Sequence, residues 1–403
     1  MADREPSRGS ALAALALATL LGMSTWFSGT AVSGALRAEW QLSAGAAAWL
    51  TIAVQLGFVA GALVSALTNL VDVWPPRRIM IASCVLVAGC NALFAYAPAF
   101  APGLVARFAT GVFLAGVYPS ALKLVATWFR DGRGRALGIM VGALTLGSAA
   151  PHLVRGIPGL DARTVVLAAS ALTLLGGAVT ALAVHEGPFA FPRARFDPAQ
   201  SGRVLRDRGV RLACLGYFGH MWELYAMWGW IAVFLTDVFA PRGADASVLA
   251  ARWAFAVIGA GFVGSWWAGV YSDRVGRTMS AALAMAVSAA CALAIGFTLH
   301  GPLWLTLAIA LVWGTAVVAD SAQFSTMVTE LADPSYVGTA LTLQLSLGFL
   351  LTVPTLWLVP LVRDHAGWGV AFALLVPGPL LGMFAVLLLR SLPEAARLAG
   401  GRG

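Results

Sequence analysis

Gly269-Val-Tyr-Ser-Asp273-Arg274-Val-Gly276-Arg277 is the stretch on which the reading of the fold turns. It packs three charges into five positions, at Asp273, Arg274 and Arg277. The flanking runs, 247–271 and 279–299, are apolar, with Arg252 their one charge. A helix needs about 20 apolar residues to cross the hydrocarbon core. Both runs reach that length, and neither alternates polar with apolar as a membrane strand does. The stretch therefore reads as a short charged turn between two membrane helices.

Extending this reading outward gives twelve apolar runs: 11–35, 46–70, 79–98, 102–128, 134–154, 164–184, 212–238, 247–271, 279–299, 302–330, 337–362 and 368–390. Composition agrees. The 403 residues are 60% hydrophobic and 11% charged, against about 25% charged in soluble domains. In water such a chain would expose large greasy patches; lipid is the solvent that suits it. The first run is longer than the core of a secretory signal, about 7–15 residues, and reads as a membrane helix that stays. The net charge of +8 comes from 25 arginines and Lys123, most of them in the gaps between runs. No basic helix face is present, so nucleic acid is not an expected partner. Cys84, Cys90, Cys214 and Cys291 lie inside apolar runs without metal-type spacing. They read as small buried hydrophobes, and no cofactor or metal is expected.

Loop charge sets the orientation. With the N-terminus in the cytoplasm, 18 basic residues fall in inside segments and six in outside ones. Both termini are thus expected to be cytoplasmic, in an inner (plasma) membrane. The longest polar interruption, 185–211, holds three prolines and six arginines and reads as a flexible inside linker. Landmarks recur across it: Asp72 and Asp273 stand 201 positions apart, Pro102 and Pro302 stand 200, and Gly134-Arg-Ala-Leu and Gly338-Thr-Ala-Leu stand 204. The expected architecture is an all-α membrane protein of twelve transmembrane helices in two pseudo-symmetric six-helix bundles. The expected domains are 1–185, a basic linker 186–211, and 212–403. Parallel repeats of this kind occur in secondary transporters.

The opening stretch also resembles the G-x-x-x-D-R-x-G-R loop of the major facilitator superfamily, whose members are transporters. The matching first-half loop, Thr68 to Arg78, keeps Asp72 and Arg77 but has Pro75-Pro76 where the glycine would stand. Arg107-Phe-Ala-Thr-Gly111 is similar to the superfamily's R-x-x-x-G element. Gly138, Gly142, Gly147 and Pro151 resemble its antiporter glycine–proline pattern. There is also a loose likeness to bacterial nitrate/nitrite-type porters. The resemblance implies a gating-loop role for Asp273, Arg274, Arg277, Asp72 and Arg77, with charge pairs that latch helices in one state and release them in another. The plainer alternative is positive-inside anchoring.

Gly219-His-Met-Trp-Glu-Leu-Tyr-Ala-Met-Trp-Gly-Trp230 puts His220 and Glu223 near the middle of the seventh run, three residues apart and on one helix face. An ionisable residue there costs about 2.5–3.5 kcal/mol on insertion scales, so it seeks a cavity or a partner. In the superfamily, spans one, four, seven and ten line a central cavity. The deep polar residues fall in those spans: Thr25 and Ser28, then Arg107, Tyr118 and Lys123, then His220 and Glu223, then Asp320 and Gln323. They are expected to share one water-accessible chamber between the halves. A carboxylate alternating between dry and charged surroundings exchanges its proton as they alternate. Glu223 and His220 are therefore candidates for proton or substrate contact, or for a structural pair. Arg107 either binds an anion or holds Glu223 across the halves. Lys123 either contacts ligand or snorkels to the interface. Trp26, Trp222, Trp228 and Trp230 either wall a pocket or pack. Gly259-Ala-Gly261-Phe-Val-Gly264 spells a nucleotide motif but lies inside an apolar run, where helix packing explains it.

The expected function is secondary active transport of a small solute by alternating access, proton-coupled, by a monomer that is not an enzyme. Arg107 and Lys123 point to a small organic or inorganic anion. The alternatives are a proton/drug antiporter exporting hydrophobic cations, and a non-transporting scaffold or sensor.

Overall fold

The computed structural model describes residues 7–129, 132–189, 197–243 and 245–403. Among these no strand occurs. The helices are α1 (Arg8–Gly22), α2 (Ser28–Ala31), α3 (Ser33–Glu39), α4 (Ala44–Leu67), α5 (Leu70–Val73), α6 (Pro76–Ala95), α7 (Phe100–Leu114), α8 (Tyr118–Ala126), α9 (Arg133–Arg155), α10 (Ala162–Ala183), α11 (Ser201–Arg206), α12 (Arg208–Phe239), α13 (Ala246–Val275), α14 (Arg277–Ile295), α15 (Leu303–Ala319), α16 (Ser321–Leu331), α17 (Val337–Ala373) and α18 (Pro377–Arg390). Nine described helical stretches are long and apolar enough to cross a membrane; the last, Val337–Arg390, holds both α17 and α18. Large apolar side chains such as Leu93, Val105, Leu182 and Leu381 stand exposed on the outer faces, as they do where lipid is the solvent.

Local chemistry sets the helix ends. Ser43, Asp161 and Asp207 each accept a bond from the backbone N–H three residues on, capping α4, α10 and α12. Gly276 ends α13 and opens α14 with φ 96°. A Cβ there would meet the carbonyls of Arg402 and Gly403, so both backbone and space demand glycine in the charged turn. In the first-half loop Pro76 takes the first helical position of α6, where a missing N–H costs nothing. That accounts for the prolines replacing the glycine.

Four expected runs are broken rather than continuous. The first unwinds at residues 23–27, the fourth at 115–117, the tenth at Asp320 and the twelfth at 374–376. In α17 the residue that leaves helical geometry is Gly367, with φ 77°, while Pro354 and Pro360 lie inside the helix. The expected flexible linker is partly built: α11 follows Asp197, whose N–H donates to Thr339 Oγ1 at 2.9 Å, and Val204 is buried.

Close helix approach rests on glycine. In the first half, Gly61 abuts the carbonyl of Val112, and Gly111 that of Val54, joining α4 to α7. In the second, Gly264 abuts the carbonyl of Thr315, and Gly314 that of Val257, joining α13 to α15. Gly61 to Gly264 and Gly111 to Gly314 both span 203 positions, near the register of the sequence landmarks. Gly264 belongs to the apparent nucleotide motif, which is thus a helix-packing face. Two principal contacts link early helices to late ones: α9 with α13, and α4 with α17.

Candidate functional site

The buried ionisable groups form two separate networks. The first lies on α12. His220 Nδ1 is 2.8 Å from Asp320 Oδ1, and its Nε2 is 2.9 Å from Ser321 Oγ. Asp320 is the joint between α15 and α16, so the break in the tenth run presents both partners at once. One turn along α12, Glu223 is 2% exposed. Its Oε1 accepts from Trp313 Nε1 at 2.6 Å and from Ser288 Oγ at 2.8 Å. Charged acceptors strengthen such bonds, and neutral donors leave the carboxyl free to gain a proton without losing an ion pair. Gln323, one turn beyond Asp320, is buried with its Oε1 unpartnered.

The second network surrounds Arg107 on α7. Its Nε donates to the Leu50 carbonyl at 3.3 Å. One terminal nitrogen reaches the Thr25 carbonyl, Ser28 Oγ and Asn91 Oδ1 at 2.9–3.0 Å, and the other reaches the Trp26 carbonyl at 2.5 Å. The guanidinium also lies 5.3 Å from the Phe94 ring centre. The unwound segment 23–27 leaves carbonyls that a helix would have bonded internally, and Arg107 takes them up. Arg107 therefore neither reaches Glu223 nor stands open to an anion, contrary to both expectations.

Between the networks lies packed aromatic surface, not a chamber. Trp26 lies tilted against Phe58 at 5.0 Å and against Tyr225 and Phe349 at 5.7 Å, measured between ring centres. Phe27 meets Trp228 edge-on at 5.8 Å. The expected shared chamber is thus corrected: apolar rings occupy the middle, and Arg107 and Glu223 are each bonded within their own half. Trp222 is corrected too. It turns away, donating to the Leu374 carbonyl at 3.1 Å beside Gly378. Tyr118 opens α8 and is partly buried against the main core.

A cavity of about 340 Å³ opens beyond the aromatic layer, at the end holding residues 30–37, 152–155 and 229–237. Of the residues named from sequence for pockets, Trp230 lines it, with its Nε1 donating to the Leu356 carbonyl at 3.0 Å. Arg37, His152, Arg155 and Arg363 line it as well. Arg363 is held by Asp364 at 2.6 Å and Asp237 at 3.9 Å.

The opposite end carries the charged turn. Arg277 is 3.2 Å from Asp273 and 3.3 Å from Glu330 of α16, and donates to Ser272. Glu330 also accepts from the Ala399 N–H at 3.0 Å, and Arg402 donates to the Asp273 carbonyl. Asp273 sits beside Gly134 of α9, while Arg274 is exposed. Arg77 donates to the carbonyls of Thr180 and Ala181, at the end of α10. The side chain of Asp72 lies outside the described residues.

Several contributors escaped the sequence reading. Ser288 sits in the ninth run, outside the expected cavity set. Trp313 stands seven residues before Asp320 on the same helical face, a signal that was available. His152 follows Pro151 and was absorbed into the glycine–proline pattern.

The Major Facilitator Superfamily model matches residues 14–355. The chain is 29% identical over 231 residues to the uncharacterized transporter YgaY of Escherichia coli O157:H7, covering 53% of this chain and 56% of that one. The putative uncharacterized transporter YgaY of strain K12 matches to the same extent. The chain therefore spans little more than half the length of these curated relatives. Among solved structures, the proton:xylose symporter XylE bound to 6-bromo-6-deoxy-D-glucose has a TM-score of 0.71 at 14% identity, covering 94% of each chain. A bacterial homologue of the human lysosomal transporter Spinster, inward-facing and unoccupied, has a TM-score of 0.65 at 16% identity, covering 98% of this chain and 96% of its own. At such identities the likeness is one of fold. With the family match running over most of its length, the chain belongs to the major facilitator superfamily and is a multi-pass membrane protein of a family of transporters, not enzymes.

Proposed function

We propose that the protein is a proton-coupled secondary transporter of a small anion, working by alternating access between halves 1–185 and 212–403 about the linker 186–211. The observation that carries this reading is the pair of buried titratable sites one turn apart on α12: Glu223 with Trp313 and Ser288, and His220 with Asp320. Both donors to Glu223 converge on Oε1, so a proton on Oε2 leaves them in place. One charge moved across 100 mV is worth about 2.3 kcal/mol, which supports roughly a fiftyfold gradient. The solute's charge is argued from the cavity, where Arg37, Arg155 and Arg363 outnumber the single acid, Asp237. Loop charge supports an inner-membrane location with both termini cytoplasmic, and the monomer is taken as the working unit.

A proton/drug antiporter for hydrophobic cations is the second reading. The ring cluster of Trp26, Phe58, Tyr225 and Phe349 favours it, since aromatic faces attract cations.

Purified protein in proteoliposomes with an imposed pH gradient tests both. Gradient-driven uptake of a labelled small anion, lowered at least about tenfold in Glu223→Gln, is the expected result. Flux of a lipophilic cation alone selects the second reading, and no flux of either kind sinks transport.

A further inference from the structure

We infer that the cavity is the binding site for an organic anion with an apolar tail, and that His152 is the residue that contacts its charged group. This rests on the transport reading above and deepens it by naming the solute's shape.

His152 lies on α9 directly after Pro151. It is 0% exposed, yet it lines the cavity, and neither ring nitrogen has a hydrogen-bond partner among the described residues. Buried side-chain polar atoms are bonded in the large majority of cases, and here both nitrogens of one ring are not. No part of the α12 network or the Arg107 network uses this residue.

The surroundings define what it would hold. On the first-half side, Thr30 Oγ1 and Thr51 Oγ1 stand 2.7 Å apart. Arg155 lies three residues beyond His152 on the same helical face. Gly29, next to Thr30, packs against the Arg107 guanidinium, and Leu50, next to Thr51, gives Arg107 its carbonyl. The polar wall is therefore anchored by the buried arginine network, which makes Arg107 a positioning residue for it. On the second-half side, Gly229, Trp230, Val233 and Leu356 face the same space, together with Thr236, Ser247 and the pair Asp237–Arg363. The Trp230 N–H is already bonded to Leu356, and Asp237 and Arg363 have partners in each other, Trp368 and Asp364, so around Trp230 this wall offers apolar surface.

A cavity with hydroxyls, a histidine and an arginine on one side and an apolar stretch around Trp230 on the other is matched to an amphipathic solute. A carboxylate head would take the first-half wall, and a short hydrocarbon body the second. A bare inorganic oxyanion would leave the apolar stretch unused, and a hydrophobic cation would face three arginines against the single acid Asp237. At about 340 Å³ the space is at the small end for ligand pockets, roughly 300–1,000 Å³.

The test is calorimetric titration of the purified full chain in detergent with acetate, butanoate, hexanoate, nitrate and tetraphenylphosphonium. Affinity is expected to rise from acetate to hexanoate, with nitrate weaker than butanoate. His152→Ala should weaken hexanoate binding about tenfold or more, the scale of a lost bond to a charged group, and His152→Gln should restore part of the loss. Arg155→Met, at a less buried position, should show a similar loss and serves if His152→Ala does not fold. Unchanged hexanoate affinity in both variants overturns the inference. Nitrate binding without carboxylate binding also overturns it but spares the anion reading. Binding of the cation alone overturns both.

Discussion

Arg107 and Glu223 are each buried near the middle of the protein, one in each half, and they are solvated in opposite ways. Arg107 is surrounded by oxygen acceptors, three of them backbone carbonyls of its own half. A guanidinium so held has its planar fork of donors taken up by fixed acceptors. Glu223 has two neutral donors on one oxygen, and nearby His220 faces an acid. Burial alone therefore does not decide whether a charge can be given up. What matters is whether its partners require the charge. Arg107's acceptors do, and Glu223's donors do not.

Four measurements press on that contrast, beginning with the largest effect. Arg107→Met strands a set of buried acceptors, and removing one member of a buried charged network costs about 3–5 kcal/mol. Little monodisperse protein should survive detergent extraction, and Arg107→Lys, lacking the planar fork, should rescue only part of it. A stable, transport-dead Arg107→Met would dissolve the contrast, because the first half would then carry function rather than structure. Gly314→Val and Gly111→Val come next. Each overpacks a helix crossing, at about 1–3 kcal/mol, read as a fall in melting temperature. Equal falls would support a duplicated crossing; a large difference would break it. Glu223→Gln should follow. It retains an oxygen that can accept from Trp313 and Ser288, so the melting temperature should shift by under about 3 °C, while pH-driven uptake falls at least about tenfold, the low end being 1.4 kcal/mol. A Glu223→Gln variant that melts far lower would mean its charge is structural after all. The smallest effect belongs to Ser288→Ala, which removes one of two donors at about 1 kcal/mol and should slow uptake without abolishing it.

Much of the fold was legible because membrane helices advertise themselves by length and apolarity. The charged turn at 269–277 carried its own explanation, since Gly276 adopts a backbone that other residues resist. The site was less legible. The break at residues 23–27 lies in Met-Ser-Thr-Trp-Phe, with no proline to mark it, so the carbonyls it frees for Arg107 could not be foreseen. The joint at Asp320 is equally unmarked. His220 and Glu223 were placed on one face, which is true, but a face three residues wide touches two neighbours, α14 and the α15–α16 joint. Trp222 shares the run and points elsewhere. The inference that all deep polar residues meet in one space failed because Arg107 and Glu223 each find their partners within their own half.

The crossing of α9 and α13 has a further consequence. Gly134, Gly138 and Gly269 meet there with the backbone of the opposing helix, and Ser265 adds a hydroxyl 3.2 Å from the Gly138 carbonyl. Interlocking side chains act as cogs that must disengage before helices can slide. This seam has almost no teeth at that end, so a tilt of one rod on the other there requires few rotamer changes. Friction between the halves would then come from the ring cluster around Trp26, which would behave as the brake while the glycine seam serves as the bearing.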